Sequence, residues 1–186
     1  MRQALGRFTT VEAMLEAAGV EWRREVTEFA FDPAPARVAR ALGLPSGAEV
    51  LRVRRRNLAG GAPFAVVTVW VPGAIGAGVA RADAERHTFY ELLGRAGHGV
   101  ASATQAITAE VASADDEADL GVAPGSPMLV CERTTRDEDG AAVLFSEHRY
   151  PAHRMAFEVE LPRVAPSGEG PVGLRLVEGD GVACGS

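Results

Sequence analysis

The chain has 186 residues, 47% of them hydrophobic and 24% charged, with a formal net charge of −6 and two cysteines. That length holds one domain with a real core, and the balance is that of an ordinary globular protein. The composition excludes a membrane-spanning run of about 20 apolar residues and a disulfide framework, and the acidity makes non-specific binding to DNA phosphates unfavourable. All 19 basic residues are arginine. The N-terminal MRQALGRF lacks the long apolar stretch of a secretory signal, so a cytoplasmic location is expected.

In chain order, Thr9 and Glu12 stand at capping-box spacing and open a helix striped by Val11, Met14, Leu15 and Ala18, with Gly19 as its stop. Trp22 to Phe31 reads as a strand. Asp32-Pro33 has the form of a helix start, Asp capping and Pro at the first helical position, for a helix carrying Val38 and Leu42 and ending at Gly43. Val50 to Leu58 and Phe64 to Val71 form a hairpin through Ala59-Gly60-Gly61-Ala62. Thr88 and Glu91 repeat the capping-box spacing before Leu92 and Leu93. Val100 to Val111 alternates as a strand with one wet face, and Ser113 caps a short helix closed by Gly121. Met128–Thr135, Ala142–Tyr150 and Met155–Leu161 read as a three-stranded meander, the first turn ending in Gly140. After Pro162 the chain becomes rich in Gly, Pro and acid; residues 164–186 are expected to be a disordered tail with a short strand at Leu174 to Val177. Strands outnumber helices and hairpins dominate, which predicts an α+β fold with a mainly antiparallel sheet and flanking helices.

Several residues stand out chemically. Leu51, Val53, Arg55 and Asn57 share one strand face, so Arg55 points with core residues and needs an anionic or hydrogen-bonding partner. It is either a clamp for a phosphate or carboxylate or one half of a structural ion pair, for instance with Glu147. Arg52, Arg54 and Arg56 lie on the other face and read as a solvated or subunit-contact row. Thr88 and Tyr90 lie at a helix start, where free amides favour an anion, or where Thr88 is an ordinary cap. Glu147 shares a face with Val143 and Phe145, which puts it at the end of a buried row or inside a pocket. Glu147, His148 and His153 have no recurrent metal spacing, and the chain has no nucleophile-elbow, Walker or dinucleotide glycine motif, so no cofactor or metal is expected.

Taken together, RFTT at the start, ALGLPSGAEVLRVRRRNLAGGAPFAVVTVWVP in the middle, TFYELL, ATQAITAEVASADDEADLGVAPGSPMLVCERTTRDEDG and FSEHRYPAHRMAFEVEL resemble the UTRA domain. This is the effector-binding half of HutC-type GntR transcription regulators, with a fold shared with chorismate lyase. The resemblance covers about residues 7–161, so residues 1–163 are read as one effector-binding domain. It implies a chorismate lyase-like fold, a homodimer, and a small-molecule effector, a phosphorylated sugar or a carboxylate. It places Phe8 and Thr9 at the pocket entrance, Arg55 and Asn57 where the family carries an Arg-x-Arg pair, and Val67, followed by Thr68, where a Glu is common. Thr88 and Tyr90 match the phosphate-holding helix start, and Glu147, His153 and Arg154 the closing wall. The family's winged helix is not found before Phe8, so this chain alone is not expected to touch DNA; no membrane partner is expected. A stand-alone dimerisation module with a degenerate pocket and a chorismate lyase-like enzyme using Arg55 and Glu147 are the alternatives.

Overall fold

The computed structural model describes residues 2–5, 15 and 19–159. In chain order the elements are β1 (Arg2–Leu5), β2 (Trp22–Pro33), α1 (Ala36–Leu42), β3 (Glu49–Ala59), β4 (Ala62–Pro72), α2 (Gly73–Gly76), α3 (Arg81–Arg86), α4 (Phe89–Arg95), β5 (Val100–Val111), α5 (Ala114–Leu120), β6 (Pro127–Asp137), β7 (Ala142–Pro151) and β8 (Ala156–Val159). Six strands make one antiparallel sheet in the order β2-β3-β4-β7-β6-β5. The α+β architecture with flanking helices is the one the sequence predicts.

Alternation along the central strands divides the core. Leu51, Val53, Val67, Val69 and Val71 pack on one face with Ala84 of α3 and Phe89, Leu92 and Leu93 of α4. On the opposite face Val50, Trp70 and Phe145 meet Val38, Ala39 and Leu42 of α1. Val66 and Val130 of that face pack with Leu120 of α5. Each buried Val or Leu contributes about 1.5–3 kcal/mol relative to exposure, so both layers are needed to hold the sheet. Gly60 and Gly61 turn the β3–β4 hairpin with φ of +57° and +80°, values that non-glycine side chains rarely adopt.

Four expectations are corrected. Asp32-Pro33 does not start a helix: β2 runs through Pro33, Asp32 pairs with Val50 in the ladder, and its carboxylate accepts from Arg52 Nε at 2.9 Å. The helix begins at Ala36 after Pro35. The third strand of the meander does not join it, because β4 and β6 already occupy both edges of β7. Instead β8 pairs in parallel with β1, which the sequence reading had not marked as a strand. Strand β5 lacks a dry face, since it is the sheet edge and is largely exposed along its length. Finally, α2 and α3 lie where no helical signal is read in the sequence, being only four and six residues long.

The first predicted helix falls outside the described residues except for Leu15, which is helical and buried in the α3/α4 layer, and Gly19, whose φ of +67° suits a helix stop. The predicted tail also lies outside them.

Candidate functional site

The sheet face beneath α4 is not filled completely. It carries an open cleft between the central strands and the start of α4. Its floor is built from rows of residues that oppose one another across the strands. Arg24 of β2 stands opposite Asn57 of β3. Arg55 stands opposite Val67, which stands opposite His148. Val69 stands opposite Ser146, which stands opposite Arg133 of β6. Leu144 and Tyr150 extend the β7 wall, and Thr88, Phe89 and Tyr90 form the roof.

Three strands therefore send an arginine into one cleft, and among its described walls there is no Asp or Glu. Arg24 and Arg55 are only 8% and 6% exposed. The Arg24 Nη1 donates to the His87 carbonyl at 2.9 Å, which ties β2 to the start of α4. The Arg55 guanidinium lies 5.0 Å from the centre of the Phe89 ring, an aromatic stack that fixes its plane. Arg133 is aimed from both sides: Nη1 donates to the Tyr90 hydroxyl at 2.7 Å and Nε to Gln105 Oε1 of β5 at 2.8 Å.

Between the arginines lies His148. Burial and the charges of Arg133 and Arg55 push its pKa down to about 3, so the ring is neutral at physiological pH. Its Nε2 lies 3.1 Å from Ser146 Oγ and its Nδ1 3.3 Å from the Tyr150 hydroxyl. Asn57 is 3% exposed, and its Oδ1 is buried without a hydrogen-bond partner.

Thr88 does cap a helix. The Glu91 amide donates to its Oγ1 at 3.2 Å, while Glu91 Oε2 accepts from the Thr88 amide at 2.7 Å and from its hydroxyl at 2.9 Å. These bonds, the Thr88 amide's first, hold the Glu91 carboxyl below its ordinary pKa. The helix start is thus satisfied by the chain's own carboxylate, and the cleft's cationic character comes from the arginines.

Of the residues singled out from sequence, Arg55, Asn57, Thr88 and Tyr90 come together here. Four others do not line the cleft. Thr68 and Glu147 oppose each other on the far face of the sheet, where Arg37 of α1 donates to Glu147 at 2.6 Å and to Glu132 at 2.7 Å. An ion pair between Arg55 and Glu147 is therefore ruled out, because the two side chains emerge on opposite faces. His153 is exposed in the turn after β7, beside Arg154, whose Nη1 donates to the Pro63 carbonyl at 2.5 Å. Phe8 and Thr9 lie outside the described residues. The row of Arg52, Arg54 and Arg56 is neither free nor a bare solvated face: it pairs with Asp32 and Glu28, with Asp119, and with Glu25.

Sequence reasoning missed Arg24, Arg133, Ser146 and Tyr150, and it weighed His148 only as a metal or acid–base group. A signal existed for Arg24, which alternates with Trp22 and Val26 as Arg55 does with Leu51 and Val53. Arg133 likewise follows Leu129 and Cys131 in its row.

A sequence model of the UTRA domain matches residues 17–156. The HTH-type transcriptional regulator Rv0792c of Mycobacterium tuberculosis is 35% identical over 187 residues, spanning 91% of this chain and 68% of its own length. The crystal structure of a putative transcriptional regulator from Streptomyces coelicolor is similar with a TM-score of 0.69 at 34% identity, over 75% of this chain and 92% of that one. The effector domain of PhnF from Mycobacterium smegmatis has a TM-score of 0.77 at 23% identity, over 88% of this chain and all (100%) of that one, a likeness of fold.

Proposed function

Since the chain belongs to the UTRA domain family, we propose that it is the effector-sensing part of a GntR/HutC-type transcription regulator and that its effector is a small anion held in the cleft beneath α4. The observation that carries this reading is the convergence of Arg24, Arg55 and Arg133 on one cleft. Guanidinium groups match carboxylate and phosphate oxygens bidentately, and partial burial strengthens such contacts. Asn57 and Tyr90 supply neutral hydrogen-bonding groups beside them.

An eliminating enzyme is disfavoured by Glu147, the carboxylate it would use, which faces α1 instead. DNA contact is assigned to a winged-helix domain and not to the fold described above. The domain acts as a homodimer whose two geometries are populated differently with and without effector. Exposed edge strand β5 supports this: its Gln105 holds Arg133, so occupancy of the cleft reaches the edge through one side chain.

The test is a thermal-shift screen of the chain against phosphorylated amino sugars, sugar acids and aromatic acids, with Arg55→Ala as control. A ligand that binds the folded state alone raises the melting temperature by mass action. One anion class should raise it, and the rise should vanish in Arg55→Ala. No anion-dependent shift in a folded wild-type chain would sink the reading.

A further inference from the structure

We propose that Gln105, on edge strand β5, is a positioning residue of the anion site: it fixes the guanidinium of Arg133 for the ligand and, being a neutral amide, leaves that guanidinium its charge. The proposal rests on the effector reading above and adds to it the residue that orients one of its three arginines.

Gln105 stands directly opposite Arg133 in the β5–β6 ladder, so the two side chains emerge on the same face of the sheet. Arg133 Nε donates to Gln105 Oε1 at 2.8 Å, and Nη2 donates to the same oxygen. Arginine offers donors and no acceptor, so the amide presents its oxygen and not its nitrogen. Gln105 is half-buried although it lies at the sheet edge, while Ile107 and Ala109, further along its row, are exposed. The two bonds occupy the guanidinium edge formed by Nε and Nη2. At the other end Nη1 donates to the Tyr90 hydroxyl at 2.7 Å, in the roof of the cleft. Arg133 is thus held by β5 and α4 together, with its Nη1 end directed into the cleft. A planar fork fixed in this way loses less freedom on binding an anion than a swinging side chain does.

A hydrogen bond from arginine to a carboxylate is roughly twice as strong as one to a neutral oxygen, so stability alone would favour Glu at position 105. The far face of the sheet is built that way: Arg37 pairs with Glu132 and Glu147, Arg54 with Asp119, and Arg149 with Asp116 and Glu110. A carboxylate neutralises the arginine it holds. The amide and the phenol that hold Arg133 do not. Its charge acts inside the cleft, where after burial it is the next cause of the depressed pKa of His148. Gln105 therefore orients a cation without cancelling it.

The experiment compares the full chain with Gln105→Glu and Gln105→Met. Calorimetric titration with glucosamine 6-phosphate and with 4-hydroxybenzoate measures anion binding, and solvent exchange of the Arg133 Nε–Hε proton reports whether the side chain is held. Wild type should bind at least one of the two anions and exchange that proton slowly. Gln105→Glu, of the same shape, should keep the slow exchange and a melting temperature no lower than that of wild type. It should nevertheless bind the anion more weakly by roughly tenfold or more, the worth of a charged hydrogen bond. Gln105→Met should exchange faster and bind with an affinity between the other two. Wild-type affinity in Gln105→Glu with Arg133 still held overturns the proposal, since a merely structural glutamine gives that result, and leaves the anion cleft standing. Wild-type affinity and exchange in Gln105→Met overturn it as well; should that variant fail to fold, Gln105→Glu decides alone. Absence of binding to both anions by folded wild type overturns the effector reading and this proposal together.

Discussion

His148 shows how a residue's surroundings determine its chemistry. With burial and two guanidinium groups disfavouring the imidazolium, its pKa falls from 6.5 to about 3. The unfolded chain takes up that proton near pH 6.5, and the folded chain does not until about pH 3. Stability is therefore unaffected above pH 6.5 and falls as pH drops below it, by at most about 1.4 kcal/mol per unit; water in the cleft makes this a ceiling. Asp116, Asp137, Glu25 and Glu91 have lowered pKa values, so their contributions are lost only at more acid pH. Urea midpoints at pH 7, 6 and 5 should fall for wild type and fall less steeply for His148→Gln. Equal slopes would show that His148 is not held neutral by the fold. The same residue marks a limit of reading sequence. On β7 both rows begin with apolar residues, because the strand is central and covered on both faces. Alternation alone therefore cannot tell whether Glu147 or His148 enters the cleft. On β3 the contrast between Leu51, Val53 and the arginines between them is sharp, and Arg55 and Asn57 were legible.

At the level of elements, the capping boxes at Thr88 and Ser113 were readable because their chemistry is local. Asp116 adds something that was not. Burial works against its ionisation, but Arg149 Nε at 2.8 Å and the Ser113 amide at 2.9 Å outweigh it and lower its pKa. That bond pins α5 to β7 across 33 positions of sequence, beyond the reach of any spacing rule. Strand β8 and the end of β2 were misread for a related reason, since pairing partners far along the chain overrode local turn and cap signals. The two sheet edges also differ. At β2 a register shift between Val26 and Glu28 and the Arg81 guanidinium bound to the Val26 carbonyl blunt the edge. At β5 the register shift lies at the strand's start, between Val100 and Ser102, and the pairing from Ser102 to Val111 is regular. Ile107 is 36% and Val111 67% exposed, and Glu110, the strand's charged residue, accepts from Arg149 at 2.7 Å. Long, weakly charged edges associate. Sedimentation should find a dimer, and Ile107→Lys should weaken it by roughly tenfold or more without lowering the melting temperature of the monomer. A monomeric wild type, or a variant that dimerises unchanged, would move the interface elsewhere.

Across the whole molecule, an acidic chain concentrates cationic groups in one place. On the α1/α5 face arginines meet acids directly: Arg37 with Glu132 and Glu147, Arg54 with Asp119, Arg149 with Asp116 and Glu110. On the other face Arg24, Arg55 and Arg133 line the cleft, where Arg24 donates to the His87 carbonyl, Arg55 stacks on Phe89 and Arg133 donates to Tyr90 and Gln105. The proposed anion site lies on the cleft face of the sheet, opposite the face that carries these ion pairs. Because every basic side chain is an arginine, one spectrum reports on both faces. The most direct test is to follow the arginine Nε–Hε resonances of the 15N-labelled chain during titration with 4-hydroxybenzoate and, separately, glucosamine 6-phosphate. The account predicts saturable movement of Arg24, Arg55 and Arg133 with at least one of these anions, while Arg37, Arg54 and Arg149 stay in place. Movement centred on the second set, or no saturable change with either anion, would contradict it.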